Sequence, residues 1–223
     1  MTEKKVLKVA KPVLAKKSPL ISKREIKRRV REDNWIFLLS GYLHLARIGC
    51  EHFLTLEKKK EFQRNIILAS IFNIKHSLEA TIKFLSLITN PDGSKANDYN
   101  ETHNLGTLIR SLKAACPKMR PDDEQEFKQL FSDFENVAEK YFSLDIIHRH
   151  INGPEDFFIE DPENTFLRYP ERTGVDILMR YGAVLGRFTD EDVREIINDT
   201  HELERTGVKL SNLLEKYFTK KPI

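Results

Sequence analysis

The side chains able to move protons or hold anions are few enough to take in turn. Among the seven histidines, His148 and His150 flank Arg149, with Asp145 one turn earlier, a grouping that suggests metal ligation. Two positions apart they diverge on a helix, and no thiolate or further carboxylate cluster accompanies them, so no metal site is expected. His76 and Glu79 stand one helical turn apart, with Lys75 and Lys83 each four residues from Glu79; ordinary pairing on a helix surface accounts for all four. Arg168 and Tyr169 lie in an otherwise apolar stretch. A guanidinium buried there needs a carboxylate, a carbonyl or an anionic ligand, so the pair reads first as a loop clamp and second as a ligand pocket. His103 reads as a helix-start residue. Arg47 with His52, and Arg194 with His201, are two Arg/His pairs at short spacing. On a helix the first pair points about 140° apart, whereas residues seven apart return to nearly one face. No Gly-rich phosphate loop, GxSxG or HExxH occurs, which leaves nucleotide hydrolysis, serine hydrolase and zinc protease chemistry without support, and no cofactor is expected.

Charge is divided unevenly along the chain. Residues 1–31 hold twelve Lys or Arg (Lys4, Lys5, Lys8, Lys11, Lys16, Lys17, Lys23, Arg24, Lys27, Arg28, Arg29, Arg31) against Glu3 and Glu25, a segment charge of +10. The chain totals are 37 basic and 34 acidic residues, so residues 32–223 keep 25 and 32 and carry −7. A basic arm thus precedes an acidic body. Residues 1–21, with Pro12, Pro19, scattered aliphatics and no aromatic, cannot bury enough apolar surface to offset the entropy of ordering and are expected to be disordered. Ser22 with Glu25 is a capping-box pattern, which places Lys23, Arg24, Lys27, Arg28, Arg29 and Arg31 in the first turns of a helix. Those six are the candidate nucleic-acid contacts, in a phosphate-binding and sequence-independent sense; an anionic membrane surface, an acidic partner or a solubilising role are the other uses of such an arm.

The elements that must position these groups are helical. Trp35, Leu38, Tyr42, Leu45 and Gly49 recur at steps of three and four, widened by Leu39, Leu43, Ala46, Cys50 and Phe53. After a charged hinge at Glu57 to Glu61, Ile67, Ile71, Ile74, Leu78, Ile82, Leu85 and Ile88 form a second stripe. Phe72, Ala80, Phe84 and Leu87 give that segment another apolar face, which predicts a central helix. Asn90 to Gly93 ends it. Thr102 or Asn104 can cap a short helix with Leu105, Leu108, Ile109 and Leu112. Pro121 followed by Asp122, Asp123 and Glu124 opens the next, whose face is Phe127, Leu130, Phe131, Phe134, Val137, Ala138, Tyr141 and Phe142. Gly153-Pro154, Asp161-Pro162 and Tyr169-Pro170 punctuate an irregular insertion in which Phe166 to Tyr169 and Val175 to Met179 suggest a short hairpin. Asp190 opens a last helix with Val193, Ile196, Thr200, Leu203, Gly207, Leu210, Leu214 and Tyr217 in the most regular spacing of the chain.

With 223 residues, 40% hydrophobic and 32% charged, this describes one all-α domain over residues 22–223: a bundle of four to five main helices with one long irregular insertion. No apolar run reaches the ~20 residues of a membrane span, and no signal-peptide pattern opens the chain. Two cysteines, Cys50 and Cys116, support neither a disulfide framework nor a structural zinc site. A cytoplasmic protein without a membrane partner is expected.

The run Asn73-Ile-Lys-His-Ser-Leu-Glu-Ala-Thr-Ile-Lys-Phe-Leu85, then Thr102-His-Asn-Leu105, then Phe166-Leu-Arg-Tyr-Pro170 ahead of a last helix, resembles the HEPN superfamily and its Arg-Tyr-Pro-containing members, over roughly residues 35–216. The resemblance implies an all-α bundle, frequent homodimers, and settings in prokaryotic defence or toxin–antitoxin pairs with a cognate antitoxin or accessory protein. In many members it implies metal-independent RNA cleavage; others are catalytically dead binding modules. The enzymatic branch uses Arg, four to six residues, then His late in the domain, a pattern met by Arg194 and His201 in the last helix. Such a histidine can move protons at the RNA 2′-hydroxyl or leaving oxygen while the guanidinium stabilises phosphate charge. The alternative is a non-catalytic, homodimeric helical module whose basic arm contacts RNA, another polyanion or an acidic partner.

Overall fold

The computed structural model describes residues 23–56, 65–89, 104–114, 119–150 and 187–218, with side chains in the first helix described from Phe37 onward. The described residues form α1 (Lys23–Thr55), α2 (Asn65–Thr89), α3 (Leu105–Ala114), α4 (Pro121–Phe142), α5 (Asp145–His148) and α6 (Asp190–Phe218), with no strand among them. The all-α bundle expected from the periodicities is therefore present. The disorder expected of residues 1–21, the expected Ser22 cap, hinge at 57–61, turn at 90–93 and hairpin, and the residues Thr102, His103, Cys116, Arg168 and Tyr169, all lie outside the described residues.

Helix α2 is the axle. Ile67, Ile71, Ile74, Leu78, Ile82 and Leu85 are buried, as are Ala80 and Phe84 on its other face, and each full burial of such a side chain contributes about 1.5–3 kcal/mol. Helix α1 runs antiparallel to it. Ser77 Oγ donates to the Leu39 carbonyl at 3.2 Å, and further along Gly49 lies so close that a Cβ there would stand 2.7 Å from Ser70 Oγ and 3.2 Å from Ile66 Cγ2. Only glycine permits that approach.

The side of α1 that packs is not the stripe its spacing first suggests. Leu39, Leu43, Ala46, Cys50 and Phe53 are buried, whereas Leu38 and Leu45 are 49% and 56% exposed. Two apolar stripes overlap on this helix, and the one carrying Ala46 and Cys50 beside Gly49 wins because small residues let the α1 and α2 backbones approach. The Cys50 thiol, buried there, is pushed up to about 11, chiefly by loss of solvent. It is a core group, not a nucleophile.

A second correction concerns Lys75, Glu79 and Lys83. They do not sit on a helix surface: all three are buried, Lys75 completely. Lys83 does pair with Glu79, at 2.8 Å, but inside the protein. The reason is that α2 from Ile74 onward is buried at every described position but His76, so a stripe of charges at i, i+4 and i+8 is buried with it. His76, half-buried, lies edge-on to Phe72 with ring centroids 4.2 Å apart, and Tyr42 is 5.5 Å away.

Asn104 supplies a cap of α3, its Oδ1 accepting from Thr107 N at 2.8 Å. Pro121 occupies the first turn of α4 as expected, with Asp122, Asp123 and Glu124 at the positive end of the dipole. Between α4 and α5, Leu144 adopts φ 60°, ψ 23°. This left-handed geometry costs a non-glycine residue of order 1 kcal/mol, and complete burial of the Leu144 side chain offsets it. Helix α6 closes the bundle, with Val193, Ile196, Thr200, Leu203, Gly207, Leu210 and Leu214 buried at the expected heptad-like spacing.

Candidate functional site

The last helix is held on two flanks. On the first, Asp192, Glu195 and Asp199, spaced three and four, form an acidic line. Thr189 begins it by capping the helix: its N–H and Oγ1 donate to Asp192 Oδ2, each at 2.7 Å. Arg149 reaches Asp192 at 3.2 Å and Glu195 at 2.7 Å. His150 Nε2 stands 3.2 Å from Asp192 Oδ1, within ion-pair range but without the angle of a hydrogen bond. Lys140 bridges Glu195 and Asp199, both at 3.0 Å, and the fully buried Tyr141 donates its hydroxyl to Asp199 at 2.9 Å.

This line explains the His148-Arg149-His150 cluster. Helix α5 ends at His148, and the Leu144 turn directs Arg149 and His150 onto α6 as structural clamps; His148 is buried. No group of three or more His, Cys, Asp or Glu that could hold a metal occurs among the described residues. Burial tends to raise the Asp192 and Glu195 carboxyls, but the Thr189 donors at the first, and Arg149 and Lys140 at the second, bring both below their ordinary values. Asp199 is raised instead, because its desolvation outweighs Lys140 and Tyr141.

At its C-terminal end α6 is tied to α4. Lys216 and Tyr217 both donate to Asp123, the lysine at 2.8 Å to each carboxylate oxygen, and Arg120 adds an ion pair at 3.0 Å. Lys216 first, then Tyr217, hold the Asp123 carboxyl well below the carboxylate range. A depressed carboxyl contributes stability that is complete above its unfolded value and is lost as pH falls through the folded one. Asp123→Asn should therefore unfold at lower denaturant concentration than the native chain at neutral pH, and the gap should close as pH drops below about 4. Denaturation midpoints measured across that range check this.

The second flank of α6 meets α1, and here the structure rearranges the two Arg/His pairs. Arg194 and His201 both lie exposed on α6, about 140° round the helix from the acidic line by helical geometry. His201 is engaged by Arg47 of α1, whose Nη1 approaches Nδ1 of the ring to 2.7 Å. Arg47 also donates to Glu204 Oε2, from Nη1 at 3.4 Å and Nη2 at 3.3 Å. His52, its neighbour in sequence, is exposed further along α1.

One member of each sequence pair thus meets the other across the α1–α6 seam. Arg47 has only 14% of its side chain exposed and Glu204 33%. Among the described residues Arg194 makes no such contact. Sequence spacing missed Arg47 as a partner because spacing reports only neighbours within one helix, and 154 residues separate Arg47 from His201. Beside the seam α1 presents a second feature: Phe37 is 77% exposed, and Leu38, Leu45 and Ile48 follow it on an unburied stripe, with Val208 of α6 also exposed.

Lys23, Arg24, Lys27, Arg28, Arg29 and Arg31 all fall within the first nine residues of α1. Among the described residues no helix is long and apolar enough to cross a membrane. Compared with known proteins, the chain matches no family model, no curated protein and no solved structure.

Proposed function

We propose that this chain is a HEPN-like protein of RNA metabolism or prokaryotic defence that cleaves RNA without a metal, with His201 and Arg194 meeting the charge that grows on the reacting phosphate. The observation that carries the reading is an exposed histidine held in one orientation by a guanidinium, on the same helix face as a second, uncommitted arginine. Cleavage through the 2′-hydroxyl needs hydrogen-bond donation and positive charge at the phosphorane, and both are present in side chains alone. The test is incubation of the full chain with labelled single-stranded RNA in the presence of a chelator. Discrete shortening supports the reading; intact RNA at every protein concentration removes it.

The basic turns of α1 supply the affinity in this scheme. Replacing Lys23, Arg24, Lys27, Arg28, Arg29 and Arg31 by Gln is expected to weaken RNA binding and flatten its dependence on salt. If all six contact phosphates, the log–log slope falls by roughly 4, at about 0.7 per phosphate neutralised on a single strand. A slope equal to that of the native chain means the arm does not touch RNA.

A second reading is favoured by the unburied stripe of α1. Phe37, Leu38, Leu45 and Ile48 form a run of apolar surface of the kind that marks an interaction site, which suits a homodimeric binding or scaffold module. Leu45→Glu with Ile48→Glu should then convert a dimer to a monomer in sedimentation velocity; a native chain that already sediments as a monomer excludes it.

A further inference from the structure

We infer that Arg47 is the positioning residue of His201, holding its ring as the Nε2–H tautomer so that the ring presents a hydrogen-bond donor, and not a base, to a phosphate oxygen; the catalytic part of this rests on the ribonuclease reading above. A guanidinium has five donors and no acceptor. At 2.7 Å from Arg47 Nη1, Nδ1 must offer its lone pair, and the one proton of the neutral ring resides on Nε2. The exposed ring therefore turns a donor outward.

Glu204 completes the device. One turn after His201 on α6, it accepts from both terminal nitrogens of Arg47, so the guanidinium that sets the tautomer is itself held by the helix that carries the histidine. The contact depends on three residues from two helices and on the rotation of α6, which the Asp192–Glu195–Asp199 line fixes from the opposite flank. Arg47 is also more enclosed than Arg194, which suits a group that orients the ring and leaves Arg194 to meet the phosphate.

This assignment limits what His201 does. A ring with Nδ1 engaged and Nε2 protonated cannot take the proton of a 2′-hydroxyl at Nε2, so in this scheme that proton passes to solvent water. It can donate to a non-bridging phosphate oxygen and stabilise the charge that grows there.

The test reads the ring directly. Nitrogen-15 spectra of His201 in the full-length protein, at roughly pH 8.5 where histidines are neutral, should show a protonated Nε2 and an unprotonated, hydrogen-bonded Nδ1. Arg47→Ala should move the Nδ1 signal to that of a free ring nitrogen averaged with the other tautomer. Glu204→Gln, which keeps the arginine, should move it part of the way. A proton on Nδ1 in the native chain, or ring signals indifferent to Arg47→Ala in a variant that melts as the native chain does, overturns the inference. RNA assays on the same samples separate the two claims. If the ring signals behave as expected and the native chain leaves RNA intact, the positioning stands and the ribonuclease reading falls. If the native chain cleaves, Arg47→Ala should lower kcat on the order of 10²-fold with KM unchanged, the usual cost of a misplaced reacting group.

Discussion

His201→Ala is expected to lower the rate of RNA cleavage by a factor of about 10²–10³, the range lost when a positioned donor to the transition state is removed, while leaving thermal unfolding within about 0.5 kcal/mol of the native chain. The second half of that expectation comes from the geometry. His201 is exposed, its only described polar partner is Arg47, and Arg47 keeps Glu204 when the ring is gone. Nothing in the core leans on it. Arg194→Ala should also cut the rate without a cost in stability, since its side chain is exposed and makes no hydrogen bond or ion pair among the described residues. Cleavage rates and melting curves for the two variants and the native chain form one experiment. A His201→Ala chain that cleaves at the native rate removes this residue from any catalytic account, and with it the HEPN-type mechanism.

Glu79→Ala is expected to destabilise the fold by about 3–5 kcal/mol, the cost of leaving one member of a buried ion pair uncompensated. Lys83 and Glu79 have side chains only 9% and 7% exposed and meet at 2.8 Å. With the carboxylate gone, the Lys83 ammonium stays in a site from which water is largely excluded. Conserving the shape but not the charge, as in Glu79→Gln, should cost less, because the amide oxygen still accepts from Lys83. Equilibrium unfolding in urea distinguishes the two. If Glu79→Ala changes the midpoint by no more than a surface substitution would, the pair is solvated and α2 is not the enclosed helix described above. This is the substitution at which the reading of the residues as a surface pair and their observed burial differ most in consequence.

How far the chain could be read in advance varies with the element. The face of α4 from Phe127 to Tyr141 and the seam of α6 from Val193 to Leu214 are buried as their spacing predicts, because each of these helices carries one apolar stripe against a polar background. Pro121 with its three acids announced the start of α4 through local chemistry alone, and Asn104, one of the two caps open for α3, bonds to Thr107 N. Helix α1 was ambiguous for the opposite reason. It carries apolar residues more than halfway round, so periodicity could not say whether Leu38 and Leu45 or Leu39 and Leu43 would face the core. The choice depended on Gly49 and on how near α2 could come.

What the sequence by itself determined is therefore the class of the fold, the places where most helices begin, and the segregation of positive charge into the first turns of α1. These follow from interactions within a few residues of one another, which a linear pattern records. Only the tertiary structure decided that Lys75, Glu79 and Lys83 are enclosed, that Arg149 and His150 clamp α6, and that His201 is partnered by Arg47. Each of those outcomes depends on which faces of separate helices meet, and a guanidinium from α1 reaches a ring on α6 only after the core has set their depth and rotation.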